Sequence, residues 1–241
     1  MALWRGEYEK AGVLMEESLE LQKEIGDQQG VTGTVSRLGL VAMAQGDYER
    51  AKQLQEESLA LAHELGARAH VPVPLGRLGL IAWNEREYEK AEALFEETLS
   101  LWKELGGRLN EAWSLTSLAV VALEQGRYER ARALAEQSLR LSWELGAREG
   151  VAECLEVLAA TAVAQGQQER GIRLFGAASS LREAIGAADP PPILRPRYER
   201  YVDECRTELG EPAFAAAWSA GRAMEPKQAV EDALRSGVPI G

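Results

Sequence analysis

Along residues 47–65 the apolar Leu54, Leu61 and Leu65 alternate with the small residues Ala51 and Ser58, at steps of three and four. That spacing draws one stripe along an α-helix and fits no strand face. The stripe returns every 40 residues. Tyr8, Tyr48, Tyr88 and Tyr128 head it, with Gln168 in the fifth place. A small residue follows at Ala11, Ala51, Ala91, Ala131 and Gly171, and a large one at Leu14, Leu54, Leu94, Leu134 and Leu174. Each unit closes on Gly26, Gly66, Gly106, Gly146 or Gly186, where a helix-ending left-handed residue belongs. A fixed period of this size marks a stacked helical repeat.

Between these stripes runs a second one. Val35, Leu38, Gly39 and Ala42 share a face, with counterparts at Leu75, Leu78, Gly79 and Ala82, then Leu115, Leu118, Ala119 and Ala122, then Leu155, Leu158, Ala159 and Ala162. The pattern predicts four helix pairs. Their first helices cover about 30–44, 70–84, 109–124 and 149–164, and their second helices about 47–65, 87–105, 127–145 and 167–185. Pro72 and Pro74 fall in a first turn, where the N–H groups lack intrahelical partners. Aligned at the period, residues 2–6 match 42–46, the last turn of a first helix, so residues 1–26 read as a partial repeat ahead of four pairs over 27–186. Its lone helix, about 8–25, is expected to be continued by a longer chain, or covered by another subunit through self-association. Asp189-Pro190-Pro191-Pro192 ends the array, and residues 187–241 read as a cap of three short helices near 196–209, 212–220 and 226–236.

Composition narrows the function. The formal net charge of −11 argues against a nucleic-acid footprint or an anionic membrane surface. Cys154 and Cys205 lack metal or redox spacing, and no signal peptide or membrane-length apolar run is visible, so a cytoplasmic protein is expected. No catalytic constellation stands out. His63 and His70 have no ligand partner at helical spacing, and the pairs Glu16-Glu17, Glu56-Glu57 and Glu96-Glu97 recur opposite the apolar stripe as a solvated face. Gly106-Gly107 lacks the Gly-Lys-Ser/Thr of a phosphate loop. Neither an enzyme nor a cofactor or metal is expected.

Leu38-Gly39 followed by Tyr48 and Ala51, and Leu78-Gly79 followed by Tyr88 and Ala91, resemble the tetratricopeptide repeat. The period of 40 exceeds the usual 34 of that family because the second helix is longer, and the customary proline between repeats is missing. The resemblance implies an all-α, right-handed α-solenoid of helix hairpins, whose first helices line a concave groove. Leu3, Met43, Trp83, Leu123 and Val163 form one ladder along those helices, and Leu40, Leu80, Val120 and Ala160 the next. With Trp113, and with Ser36, Asn84 and Thr116 as orienting polar groups, they make the candidate binding residues Ser36, Leu40, Met43, Leu80, Trp83, Asn84, Trp113, Thr116, Val120 and Leu123. A competing reading packs these side chains between adjacent helices. The tail segments Leu174-Phe175-Gly176-Ala177-Ala178, Tyr198-Glu199-Arg200 and Ala213-Phe214-Ala215-Ala216-Ala217-Trp218 are similar to the C-terminal end of LuxR-type and maltose-activator-like bacterial transcriptional regulators. That likeness implies the sensor or scaffold part of such a regulator, binding a protein, peptide or small effector. A free-standing interaction adaptor is the alternative.

Overall fold

A computed structural model describes residues 8–187 and 195–235. Leu3 and the segment Asp189–Pro192 lie outside them. Every element among the described residues is helical, so the fold class is all-α. The chain divides into two compact units, residues 1–106 and 107–241.

The first unit holds α1 (Tyr8–Glu24), α2 (Gln28–Ala44), α3 (Tyr48–Glu64), α4 (Pro72–Asn84) and α5 (Tyr88–Glu104). Three residues join α2 to α3, and they are enough because each has one task. Gln45 ends α2, Gly46 takes a left-handed φ of 81°, and the Asp47 carboxylate accepts the N–H of Arg50 at 3.1 Å to cap α3. The N–H of Gly46 donates to the Met43 carbonyl at 3.0 Å, and that of Asp47 to the Ala42 carbonyl at 2.9 Å. These are the two closing bonds of a Schellman motif. The same corner recurs at Gly26 and Gly66.

Between α4 and α5 the left-handed place falls to Arg86, with φ 63°, the one non-glycine residue so placed among the described residues. A Cβ there crowds the neighbouring carbonyl. Arg86→Gly is therefore expected to stabilise the chain by about 1 kcal/mol. A urea unfolding midpoint that stays put or falls would count against this.

Helix α4 starts later than the pattern suggests. The expected helix near 70–84 begins at Pro72, and Arg68–His70 form a 3-10 turn. Proline has no N–H to donate, and its ring clashes with the carbonyl four residues back, so Pro72 can only open the α-helix.

The helices of a pair come close where one is small. A Cβ on Gly39 would meet the Gln55 side chain at 2.0 Å, and one on Gly79 would meet the Phe95 ring at 2.7 Å. Glycine after the leucine thus gives a large residue of the facing helix somewhere to lie. Gln55 is fully buried and satisfied: its amide N donates to the Ser36 carbonyl at 2.8 Å, and its amide O accepts from the Ser36 hydroxyl at 2.8 Å. Helix α1 buries Ala11 but exposes Val13, Leu14 and Leu21, and Ile25 just beyond its end is exposed as well.

The second unit holds α6 (Arg108–Glu124), α7 (Tyr128–Glu144), α8 (Arg148–Ala164), α9 (Gln168–Ala184), α10 (Arg195–Leu209), α11 (Glu211–Arg222) and α12 (Pro226–Leu234). Equivalent residues make equivalent bonds. The Ser138 hydroxyl donates to the Ala112 carbonyl at 2.7 Å, as that of Ser58, 80 places earlier, donates to Thr32 at 2.9 Å. Tyr48, Tyr88 and Tyr128 each open a second helix and are each half-buried.

Helix α9 is the hub of this unit. Its Gly176 lies against the Trp218 carbonyl of α11, and Gly221 of α11 lies against the Arg173 carbonyl of α9, with no room for a Cβ at either. The Arg222 guanidinium makes a two-pronged ion pair with Glu183 at 2.6 and 2.7 Å. Arg170 donates to the carbonyls of Ala233 at 3.2 Å and Arg235 at 2.7 Å, closing the C-terminal end of α12.

Candidate functional site

The first helices of the pairs carry two kinds of surface. One is the core stripe through Val35, Leu38 and Ala42. The other runs through residues 33, 37, 40 and 44 and their equivalents. It is the stripe left uncovered by the hairpin itself.

In the first unit this inner stripe reads Arg37, Leu40 and Ala44 on α2, then Val73, Arg77, Leu80 and Asn84 on α4. Arg37, Val73 and Asn84 are exposed and the rest half-buried. The Arg77 guanidinium donates to the Ser36 hydroxyl at 2.7 Å and to its carbonyl. Burial, with Arg37 nearby, lowers the Arg77 pKa to about 10. It stays charged at neutral pH. Neither arginine has a carboxylate partner among the described residues.

Of the sequence candidates here, Leu40, Leu80 and Asn84 lie on the inner stripe. Met43 and Trp83 do not. Both are buried, at 8 and 9 % exposure, and the Trp83 indole N–H finds no acceptor among the described residues. Ser36 is also buried, its hydroxyl held between Gln55 and Arg77.

In the second unit the stripe reads Trp113, Ser117, Val120 and Glu124 on α6, then Glu153, Val157, Ala160 and Ala164 on α8. Ser117, Val120, Val157 and Ala160 are buried here, and α10 lies over the last three. A cleft beneath it is lined by Thr116, Val120, Glu153, Val157 and Ala160 on one side and by Arg197, Tyr198 and Tyr201 of α10 on the other. The Arg197 Nε meets Glu124 at 3.2 Å. The Tyr198 ring stands edge-on to Phe175, their centroids 4.9 Å apart.

Trp113 is half-buried and Leu123 buried in the core. The Thr116 hydroxyl bonds the Ala112 carbonyl and the Ser138 hydroxyl, and lies 3.4 Å from the Cys154 thiol. Burial pushes that thiol up to about 11, so Cys154 is a packed and unreactive residue.

The cleft holds two carboxylates with different partners. Glu156 is gripped by Arg182 at 2.6 and 2.9 Å. Glu153 has no hydrogen-bond partner among the described residues, and burial raises it to about 7, with Arg182 opposing and Glu156 and Glu149 adding. The sequence candidates include none of Arg37, Arg77, Glu124, Glu153 or the α10 residues. For the first four the 40-residue register held the signal, since 37 and 77, like 113 and 153, are equivalent positions.

Comparison with known proteins agrees with this architecture. Residues 31–65 and residues 70–142 each match a tetratricopeptide repeat model, so both segments are tetratricopeptide repeats. Among solved structures, BtubC (BKLC) from P. vanneervenii is similar at 23 % identity and a TM-score of 0.63, over 79 % of each chain. A variant of the nearly identical TPR-like repeats of a putative kinesin light chain from Podosopora anserina is similar at 17 % identity and a TM-score of 0.56, over 77 % of this chain and 91 % of that one. At such identities the likeness shows the fold alone. No curated protein matches the sequence.

Proposed function

We propose that this chain is a non-catalytic recognition module, and that the inner stripe of its first unit takes an acidic segment of a protein partner. The observation that carries this reading is the pair Arg37 and Arg77, set between Leu40 and Leu80 on a protein of net charge −11. Two guanidinium groups without carboxylates repel each other until an anion comes between them, and planar guanidinium suits a carboxylate well. The leucines give an adjoining apolar contact, so the fit is to a segment with acidic and apolar side chains on successive turns.

The test is fluorescence anisotropy with a labelled Glu- and Leu-containing helical peptide, repeated with Glu changed to Lys. Arg37→Glu is expected to weaken binding of the acidic peptide at least tenfold, about 1.4 kcal/mol, and to flatten its salt dependence. Arg37 is exposed, so the thermal midpoint should hold. Equal binding of both peptides, or no effect of Arg37→Glu, would sink this reading.

The tail segments around Phe175, Tyr198 and Trp218 support a finer reading as well. Their likeness to the ends of LuxR-type and maltose-activator-like regulators supports the module as the sensor region of such a protein. A partner then acts by its different affinity for two states of the whole protein. A reading frame upstream of Met1 that encodes neither a nucleotide-binding nor a DNA-binding domain would instead favour a free-standing adaptor.

A further inference from the structure

We infer that the inner stripe of the second unit is itself a helix-binding groove, and that α10 fills it as an exchangeable occupant. A partner helix of the same chemistry, an arginine followed by tyrosines one and four residues later, competes for that place. This inference rests on the second unit alone and does not depend on the reading of the first.

The occupied groove shows its preference. Arg197, Tyr198 and Tyr201 share one face of α10 and line the cleft against the stripe, with Tyr201 buried and Arg197 paired to Glu124. The stripe side is acidic, through Glu124, Glu153 and Glu156, and α10 brings Arg195, Arg197 and Arg200. Charge of this kind sets which helix docks and in which direction.

The seam is incomplete in a way that a permanent core is not. Among the described residues the Nη2 of Arg197 is buried without an acceptor, and Glu153 faces the same cleft without a donor. Each leaves a buried polar group short of a bond it had in water. The elements beyond α10 are fastened without it. Helix α11 is locked to α9 through Gly176, Gly221 and the Arg222–Glu183 pair, and α12 through Arg170. Release of α10 would break its own contacts with α9 and α11, Tyr198 on Phe175 and Arg206 over Phe214, but would leave the ties of α9 to α11 and α12 in place.

The experiment uses the full chain and a fluorescein-labelled synthetic peptide spanning residues 195–209. In the unaltered protein the tethered helix holds the groove at an effective concentration near millimolar, so the free peptide binds weakly. The double variant Arg197→Ala/Tyr198→Ala should bind the peptide at least tenfold more tightly. A peptide with Arg197→Glu, or a third change Glu124→Lys in the protein, should undo that gain. A double variant that is folded by circular dichroism yet binds no better than the unaltered chain overturns the proposal. If the variant does not fold, hydrogen exchange on the unaltered chain decides. Amides of α10 exchanging at least tenfold faster than those of α11 support exchangeability, and equal protection of the two helices refutes it.

Discussion

Arg182→Met is expected to cost about 3–5 kcal/mol of folding free energy, the penalty for breaking a buried ion pair from one side. For a chain of this length that lowers the thermal midpoint by roughly 10 °C. The Arg182 side chain is 2 % exposed and that of Glu156 11 %, and the two meet through a pair of parallel bonds at 2.6 and 2.9 Å. Methionine fills much of the arginine volume, so the loss comes chiefly from the stranded carboxylate and not from a cavity.

Two further measurements separate these causes. Burial already holds Glu156 above the ordinary carboxylate range despite Arg182, and without the arginine it rises further. A folded-state pKa above the unfolded one means the protonated group favours folding, fully below the unfolded pKa and progressively less as pH rises through the folded one. The deficit of Arg182→Met should thus be largest near pH 8 and shrink toward pH 5. Adding Glu156→Leu should restore most of the loss, since a packed apolar pair replaces a buried ionic one at little or no net cost. Urea unfolding at both pH values checks this. A deficit that ignores pH and survives the second substitution would mean the pair is incidental.

Gly221→Ala should be nearly as severe, at about 3 kcal/mol, the upper end of the usual range for overpacking. On helix propensity alone the change would stabilise α11 by about 1 kcal/mol. Packing overrides this, because the new Cβ would stand 1.9 Å from the Arg173 carbonyl oxygen and 2.8 Å from its carbon. Both are backbone atoms of α9, so no rotamer change relieves the clash. Helix α11 must move away, and Gly176, whose own Cβ position is 2.4 Å from the Trp218 carbonyl oxygen, loses its contact as well. Calorimetry should show a lowered transition, with faster hydrogen exchange across α11. A variant as stable as the parent would show that α11 is not seated on α9 as described.

The helices were legible because three local signals coincide at each corner: a periodic stripe that stops, a residue in the left-handed place, and a new stripe 40 residues from its counterpart. The pattern also separated the exposed outer carboxylates, such as Glu56 and Glu57, from chemistry. The inner face was harder. Neighbouring positions on a helix point about 100° apart, so a ladder displaced by one or three residues describes another side. Met43, Trp83 and Leu123 look like a lure for a partner when only the sequence is read, because large apolar residues sit at core and interface positions alike. Two pairings could not be read at all. Arg182 and Glu156 lie 26 residues apart on different helices, and α10 lies over the stripe by a tertiary fit that belongs to no repeat.

The corners themselves limit how this protein can change in length. Seven of the links between consecutive helices from α1 to α9 are three residues long, with the middle one left-handed. They have no slack to take up a gained or lost residue. One amino acid added inside α7 would turn every later side chain of that helix by about 100° and set Leu139 and Ser142 facing solvent. The array can therefore grow by whole 40-residue hairpins without breaking its register, while a single insertion inside a helix breaks the packing of everything after it in that helix.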